Sequence, residues 1–562
     1  MVTFADLRYA RLGPLAEAAQ AWRAVAKAFD HVDNRCVSDL TGFLRSSGWQ
    51  GDAATAALAC ADNLDDELEV VSMRARTTAS VLRNAVEQFE DLRRRLLSAV
   101  NGAIAAGLRV DDDGRVFTSF PSGPHLTPEQ ELAERRALEN AEIYGKLISR
   151  ILDEATESDE RTARALRALK PADDEGHSAW EYNKATEAAK AAAEALGLSA
   201  DSIPTPGTDP KAVKDWWSSL STDERQVLLT AFPERLGALD GLPAVDRDYA
   251  NRLALRNFIG DTIANHRDSG NPEHERAFKL LERLEQSETN PPHKRLYLLS
   301  IDPVGDGKAA IAIGNPDTAD HTAVLVPGVG TKLNDFRGQI GRANQLHDSA
   351  LNFAPPDAAV SIIAWIGYDT PSIGVDIVSA PFGDKSKEGA KALDAFVDGL
   401  RAAHDDTPSH VTVIGHSYGS TVVGEAAKSG DGLAADDIIA LGSPGMRVEN
   451  ASEFNVGGQH VWVGAAADDI IARPEVVSRM VPEVPGTLAD EVARVGLRGL
   501  AHLANQFHGP PPHDPDFGGN VLHVDTSGHS GYWEDGSLVL HSQGAIIVGN
   551  YSEASLQHEA TR

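Results

Sequence analysis

The chain holds only two cysteines, Cys36 and Cys60, in 562 residues. That excludes a disulfide-rich scaffold, and two thiols offer no metal-binding spacing, so neither a metal nor a cofactor is expected. Basic charge is also scarce: 52 Lys and Arg against 83 Asp and Glu leave a net charge of −31, spread along the chain. Such a surface repels phosphate backbones and anionic membranes, which argues against nucleic-acid binding. No apolar run approaches the roughly 18 residues a membrane helix needs, so no spanning segment is expected. The opening stretch MVTFADLRYARLGPLAEAAQ has no basic segment followed by an apolar core. A conventional signal peptide is therefore not expected.

What is present is a globular composition, 42% hydrophobic and 24% charged, in a chain too long for one core. Three regions emerge, over residues 1–100, 101–290 and 291–562. In the first, Leu15, Ala18, Trp22, Val25, Phe29, Val32, Cys36, Leu40 and Phe43 recur at steps of three and four, the pattern of a helix packed on another helix. SSGWQGD breaks the pattern, and a second seam runs through Ala53, Ala57, Cys60, Leu64, Val71, Ala75, Leu82, Phe89, Leu92 and Leu96. A helical hairpin turning at Trp49 and Gly51 follows. It brings Cys36 and Cys60 roughly opposite each other, which leaves two expectations open: a disulfide, or two small buried thiols.

This hairpin resembles the Trp-x-Gly helical hairpins of type VII secretion in Gram-positive bacteria. The resemblance implies a protein partner for the hairpin and a non-classical export route, with the cytoplasm as the other location. Such substrates carry a Tyr-x-x-x-Asp/Glu signal after the second helix. Here Tyr144 and Tyr182 are followed at that spacing by Ile148 and Thr186.

In the second region GLRVDDDGRVFT reads as a small β-hairpin with Asp113-Gly114 in its turn. Thr127-Pro128 with Gln130 has the form of a capping box. The remainder is Ala/Glu/Leu/Arg-rich and mostly helical, interrupted by the loop DSIPTPGTDP, and its charge runs read as solvated helix faces.

The third region changes character. RLYLLSID, KAAIAIGN, TAVLVPGV, VSIIAWIGY, VTVIGHS, DIIALGSP and VWVGAAA are short apolar runs, most of them separated by helix-length stretches. They predict a mainly parallel sheet covered by helices on both faces, with the first two strands as an antiparallel hairpin at one edge. Functional groups in such sheets gather beyond the carboxyl ends of the strands. Gly415-His416-Ser417-Tyr418-Gly419 falls at one of those ends and has the form of a nucleophile elbow, a sharp strand-to-helix turn that exposes the serine hydroxyl.

Ser417 needs a base and an acid, which in this arrangement follow in the order Ser, Asp/Glu, His. Asp468 and Asp469 end the run HVWVGAAA, and either can be the acid. His529, in the Gly/Ser loop of VDTSGHSGYW, is the expected base, ahead of His502, His508, His513, His523 and His541. Backbone amides of Tyr418 and of Val329 or Gly330, in VLVPGVGTKL, are the expected oxyanion donors. Trp365, Tyr368 and Asp369 either line a substrate pocket or belong to core and turn.

VPGVGTKL, AWIGYDTPS, VIGHSYGS and GHSGYW, with the upstream segment from Trp216 to Arg252, resemble an actinobacterial α/β-hydrolase family long described as a domain of unknown function. The resemblance covers about residues 216–535 and implies serine-hydrolase chemistry on a small-molecule ester or lipid-like substrate. The expected fold class is α/β, a C-terminal α/β-hydrolase sheet preceded by an all-α hairpin and a helical region. The alternative function is a type VII secretion-associated effector or interaction protein, with the hydrolase part a toxin payload or inactive scaffold.

Overall fold

The computed structural model of the chain describes residues 1–119, 127–170, 180–265, 270–371, 382–404, 407–473 and 508–557; His502 lies outside them. The chain divides into two compact units, Met1–Ser202 with Leu220–Phe232, and Ile203–Ser219 with Pro233–Arg562. Residues 203–219 and 233–290 thus belong to the same unit as the sheet. Among the described residues no helix is long and apolar enough to cross a membrane.

The first unit is helical. Helix Gly13–Arg35 packs against helix Asp52–Ala105, with Trp49 exposed at the turn between them. The apolar row expected to be the seam of the first helix is not its buried face. Ala19 and Ala26 are buried, whereas Trp22, Val25, Val32, Leu40 and Phe43 are exposed, Trp22 by 43% and Phe43 by 68%. Two alanines seven residues apart let the backbones approach closely, and Ser72 reaches across to donate to the Ala26 carbonyl at 3.3 Å. A π-helical turn over Cys36–Thr41 then changes the helical phase before Phe43.

In the long helix the expected seam is buried at Ala75, Leu82, Leu92 and Leu96. Nearer its start the buried residues are Ala54 and Ala61, one position after those expected. Both cysteines are free thiols: Cys36 is buried with its sulfur toward the Ala61 carbonyl, and Cys60 is exposed. Strands β1 (Leu108–Val110) and β2 (Val116–Thr118) pair antiparallel, and Thr127 and Gln130 form a reciprocal capping box on helix Pro128–Leu169.

Among the described residues the second unit is built on a sheet of eight strands. These are β3 (Leu296–Asp302), β4 (Lys308–Ile313), β5 (His321–Val326), β6 (Val360–Ile366), β7 (His410–His416), β8 (Asp437–Leu441), β9 (Val461–Gly464) and β10 (Asn520–Val521). They lie in the order β3-β4-β6-β5-β7-β8-β9-β10. β3 and β4 form the antiparallel edge, β4 meets β6 antiparallel, and every pairing from β6 to β10 is parallel.

Alternate residues such as Val324, Val411, Val413, Ile438 and Val463 share a core with helices Phe382–Ala403 and Tyr418–Ala427. Helices Phe336–Leu351 and Leu538–Ile547 pack on each other and on the strands as well. Buried on both faces, β5 to β8 need the continuous apolar runs that the sequence displays.

An edge strand leaves a row of backbone groups unpaired. Helix Ala244–Ala264 answers that need at β3 with buried polar side chains. Asp248 accepts the Leu298 N–H at 2.7 Å, Asn251 donates to the Leu298 carbonyl at 3.0 Å, and Arg252 donates to the Leu296 carbonyl at 2.9 Å. Arg252 also bonds Asp248 at 2.7 Å and Glu288 at 3.1 Å, so its buried charge is paired.

Candidate active site

β7 lies in the middle of the sheet, and the chain turns sharply where it ends. Ser417 has φ 55 and ψ −130, a backbone that L-residues with side chains rarely adopt, and its N–H donates to the Leu441 carbonyl of β8 at 2.9 Å. The flanking glycines permit this turn by close approach: a Cβ on Gly415 would come within 2.5 Å of Ser420 Cα, and one on Gly419 within 2.3 Å of the Val326 oxygen. Helix Tyr418–Ala427 starts at once, so the Tyr418 amide opens a helix at its positive end. The Ser417 hydroxyl makes no hydrogen bond among the described residues.

The two aspartates after β9 separate cleanly. Asp469 is fully buried and faces His529, whose Nδ1 lies 2.9 Å from both carboxylate oxygens. Asp468 is exposed, and its Oδ1 accepts the Gly528 N–H at 2.7 Å, holding the loop one residue before His529. Asp469 Oδ1 also accepts the N–H groups of Ile471 and Ala472, and Oδ2 accepts the Tyr532 hydroxyl at 2.5 Å. Burial alone would raise the Asp469 pKa. Hydrogen bonds from His529 and Tyr532, the nearby His529 charge and the Ala472 amide outweigh it and bring the value down to about 2. With an ionised carboxylate as acceptor, Nδ1 is the ring nitrogen that donates to Asp469.

Gly442, directly after β8, makes room for this pair. A Cβ there would sit 2.8 Å from Asp469 Oδ2 and 3.1 Å from His529 Cε1, and its φ of 57 suits glycine. Leu441, whose carbonyl holds Ser417, is the preceding residue, so serine turn, acid and histidine converge on one strand end. His416 adds a tie from the elbow itself. Buried, with its ring centroid 4.8 Å from that of His529 and tilted by 36°, it donates through Nε2 to the His529 carbonyl at 2.7 Å. Burial and the His529 charge push its pKa down to about 3, so it is a neutral donor.

The loop after β5 approaches from the other side, and Gly328 packs directly on Ser417. The N–H of Gly330 donates to the Pro371 carbonyl at 2.9 Å, while that of Val329 makes no backbone hydrogen bond among the described residues. Trp365 and Tyr368 are buried in the sheet core. The Tyr368 hydroxyl donates to the Pro327 carbonyl at 2.7 Å, bracing the loop. Asp369 is exposed and pairs with Lys308 at 3.3 Å.

Of the other histidines, His523 donates its backbone N–H to the Ser555 carbonyl, His541 stands edge-on to Phe353, and His508 lies beside Thr421. His513 is partly buried in the loop before β10. Sequence reasoning missed Tyr532 and His416 as supports of this site. Their position inside GHSGYW and GHSYG was a signal, but their bonds needed the fold.

Residues 302–479 match an alpha/beta hydrolase family, and residues 9–103 match the PPE family. Similar curated proteins are uncharacterized mycobacterial ones. One from Mycobacterium tuberculosis is 34% identical over 388 residues, covering 62% of this chain and 57% of its own length. One from Mycobacterium bovis is 29% identical over 205 residues, covering 34% of this chain and 74% of its own. The chain thus spans somewhat over half the length of the first of these relatives. Similarity to the PPE family thus lies at its N-terminal end, and similarity to the alpha/beta hydrolase family lies over the sheet.

Proposed function

We propose that the chain is a serine hydrolase acting on carboxylic esters, with a small or lipid-like ester as substrate. Ser417 is the nucleophile, and His529 removes its proton through Nε2. Asp469 keeps the imidazole in the tautomer that allows this and stabilises the imidazolium that forms. The amides of Tyr418 and Val329 receive the oxyanion, because the Gly330 amide is already bonded to Pro371. His529 then gives its proton to the leaving alcohol, and water, activated by the same histidine, releases the acid. Esters are favoured over amides because an alcohol needs less help to leave.

The observation that carries this reading is the pairing of buried Asp469 with partly exposed His529 against Gly442, next to the strand end that holds the strained Ser417. Labelling with a fluorophosphonate probe tests it. Wild type labels, and Ser417→Ala and His529→Ala do not; equal labelling of all three, or none in wild type, defeats the assignment.

A second, compatible reading concerns the N-terminal unit. The exposed apolar row Trp22, Val25, Val32, Leu40 and Phe43 favours a protein partner, and the PPE-family match favours a type VII export route. Secretion that persists in a strain lacking its type VII systems would count against that route.

A further inference from the structure

Tyr532 is the second side-chain donor on Asp469, and the proposed reaction does not use it directly. Its ring is fully buried. Its hydroxyl lies 2.5 Å from Asp469 Oδ2 and accepts the Ala466 N–H at 3.1 Å. A phenol has one proton and an amide N–H only donates, so that proton lies on the Asp469 side. Tyr532 follows His529 by three residues in the same loop, so one short segment supplies both side-chain donors to one carboxylate. The Ile471 and Ala472 amides hold Oδ1, Tyr532 holds Oδ2, and His529 Nδ1 spans the two.

We infer that Tyr532 is a positioning residue of the acid–base pair, fixing the Asp469 carboxylate and through it the orientation and proton affinity of His529. This deepens the serine-hydrolase reading and rests on it. A donor on Oδ2 draws negative charge away from the His529 side, so less is left to stabilise the imidazolium, and the base passes its proton on more readily. Burial and the adjacent Asp469 push the Tyr532 phenol well above its usual range, so it stays a donor at working pH.

Among the described residues, four titratable or charged groups can be named around this pair. They are His416 from the elbow, Asp468 through the Gly528 amide, Arg473 on the Ala465 carbonyl, and Arg342, stacked 4.3 Å over the Trp533 ring beside His416. None of the four side chains bonds the Asp469 carboxylate among the described residues.

Tyr532→Phe keeps the ring and removes the hydroxyl. With the full chain and a p-nitrophenyl ester, kcat is expected to fall on the order of tenfold with KM little changed. The acidic limb of kcat/KM moves up by about 0.5 pH unit, because the carboxylate now holds the imidazolium more strongly. A purely packing role would lower Tm and leave the limb in place. A folded Tyr532→Phe with wild-type kcat and an unmoved limb overturns the inference.

Should that variant not fold, 3-fluorotyrosine at position 532 supplies a stronger donor in nearly the same volume. The limb then moves down, and no movement, or movement upward, overturns the inference. Fluorophosphonate labelling of Ser417→Ala run alongside separates the two failures. Labelling that survives in that variant removes the serine reading and this inference together. Labelling lost there with an unmoved limb removes only the role of Tyr532.

Discussion

The sheet carries a buried aspartate with a histidine and a tyrosine at each end of its central strands. At the carboxyl ends, Asp469 is bonded by His529 and Tyr532. At the amino ends, Asp437 is equally buried, with Trp462 and His460 on Oδ1, and Tyr551 and His410 on Oδ2. Both carboxylates lie below the ordinary range, since in each case hydrogen bonds outweigh a burial that would raise the pKa.

The difference lies in what each histidine has left. His410 is bonded at Nδ1 to the Ile547 carbonyl and at Nε2 to Asp437, so both nitrogens are occupied. Burial would lower its pKa, but these bonds and the nearby Asp437 charge raise it. His529 is bonded to Asp469 through Nδ1, and its Nε2 makes no hydrogen bond among the described residues. The same three residue types make a staple at one end and a candidate proton carrier at the other. What separates them is one uncommitted nitrogen.

Substitution of the two aspartates attacks that contrast most directly. Asp469→Asn should lower kcat by about 10³- to 10⁴-fold, as expected when the base is left in the wrong tautomer. Asp437→Asn should leave kcat within about twofold yet cost about 3 kcal/mol of stability, the scale for breaking a buried charge network. Ester turnover and thermal melts read both, and equal activity losses would erase the distinction. Gly442→Ala is next: its Cβ would strike the Asp469–His529 pair, and a displacement of that kind costs on the order of 10- to 100-fold in kcat. Asp468→Ala removes one hydrogen bond to the base loop, worth about 1 kcal/mol, so kcat should drop about fivefold.

The smallest effect is in pH dependence. His410 has a raised folded pKa, so its contribution to stability is complete below the unfolded value near 6.5 and fades as pH rises through the folded one. Tm should therefore decline above neutrality, and less so in Asp437→Asn. Asp469 behaves oppositely. Its contribution is present above the unfolded carboxylate value and is lost as pH falls toward about 2. Melts of Asp469→Asn should accordingly lose less than wild type below pH 4.

Much of the fold was legible because its signals are local. Seven apolar runs anticipated β3 to β9, and the hairpin edge followed from the short link between β3 and β4. β10 was harder: it is two residues long and reads only as part of a strand-like run. The helical hairpin was legible too, but not its faces. A three-four period marks an apolar stripe without saying which stripe a partner helix covers, and small residues won that place at Ala19 and Ala26.

The sequence by itself determined where a serine turn, an acid pair and a Gly/Ser-flanked histidine lie along the chain, because strand propensity, glycine punctuation and residue order are readable over a few positions. Tertiary structure alone decided that Asp469 rather than Asp468 meets His529, that Pro371 engages the Gly330 amide, that Tyr532 bonds the Asp469 carboxylate and that His416 bonds the His529 carbonyl. These choices depend on where side chains point beyond a strand end and on partners far away in the sequence. No local period encodes either.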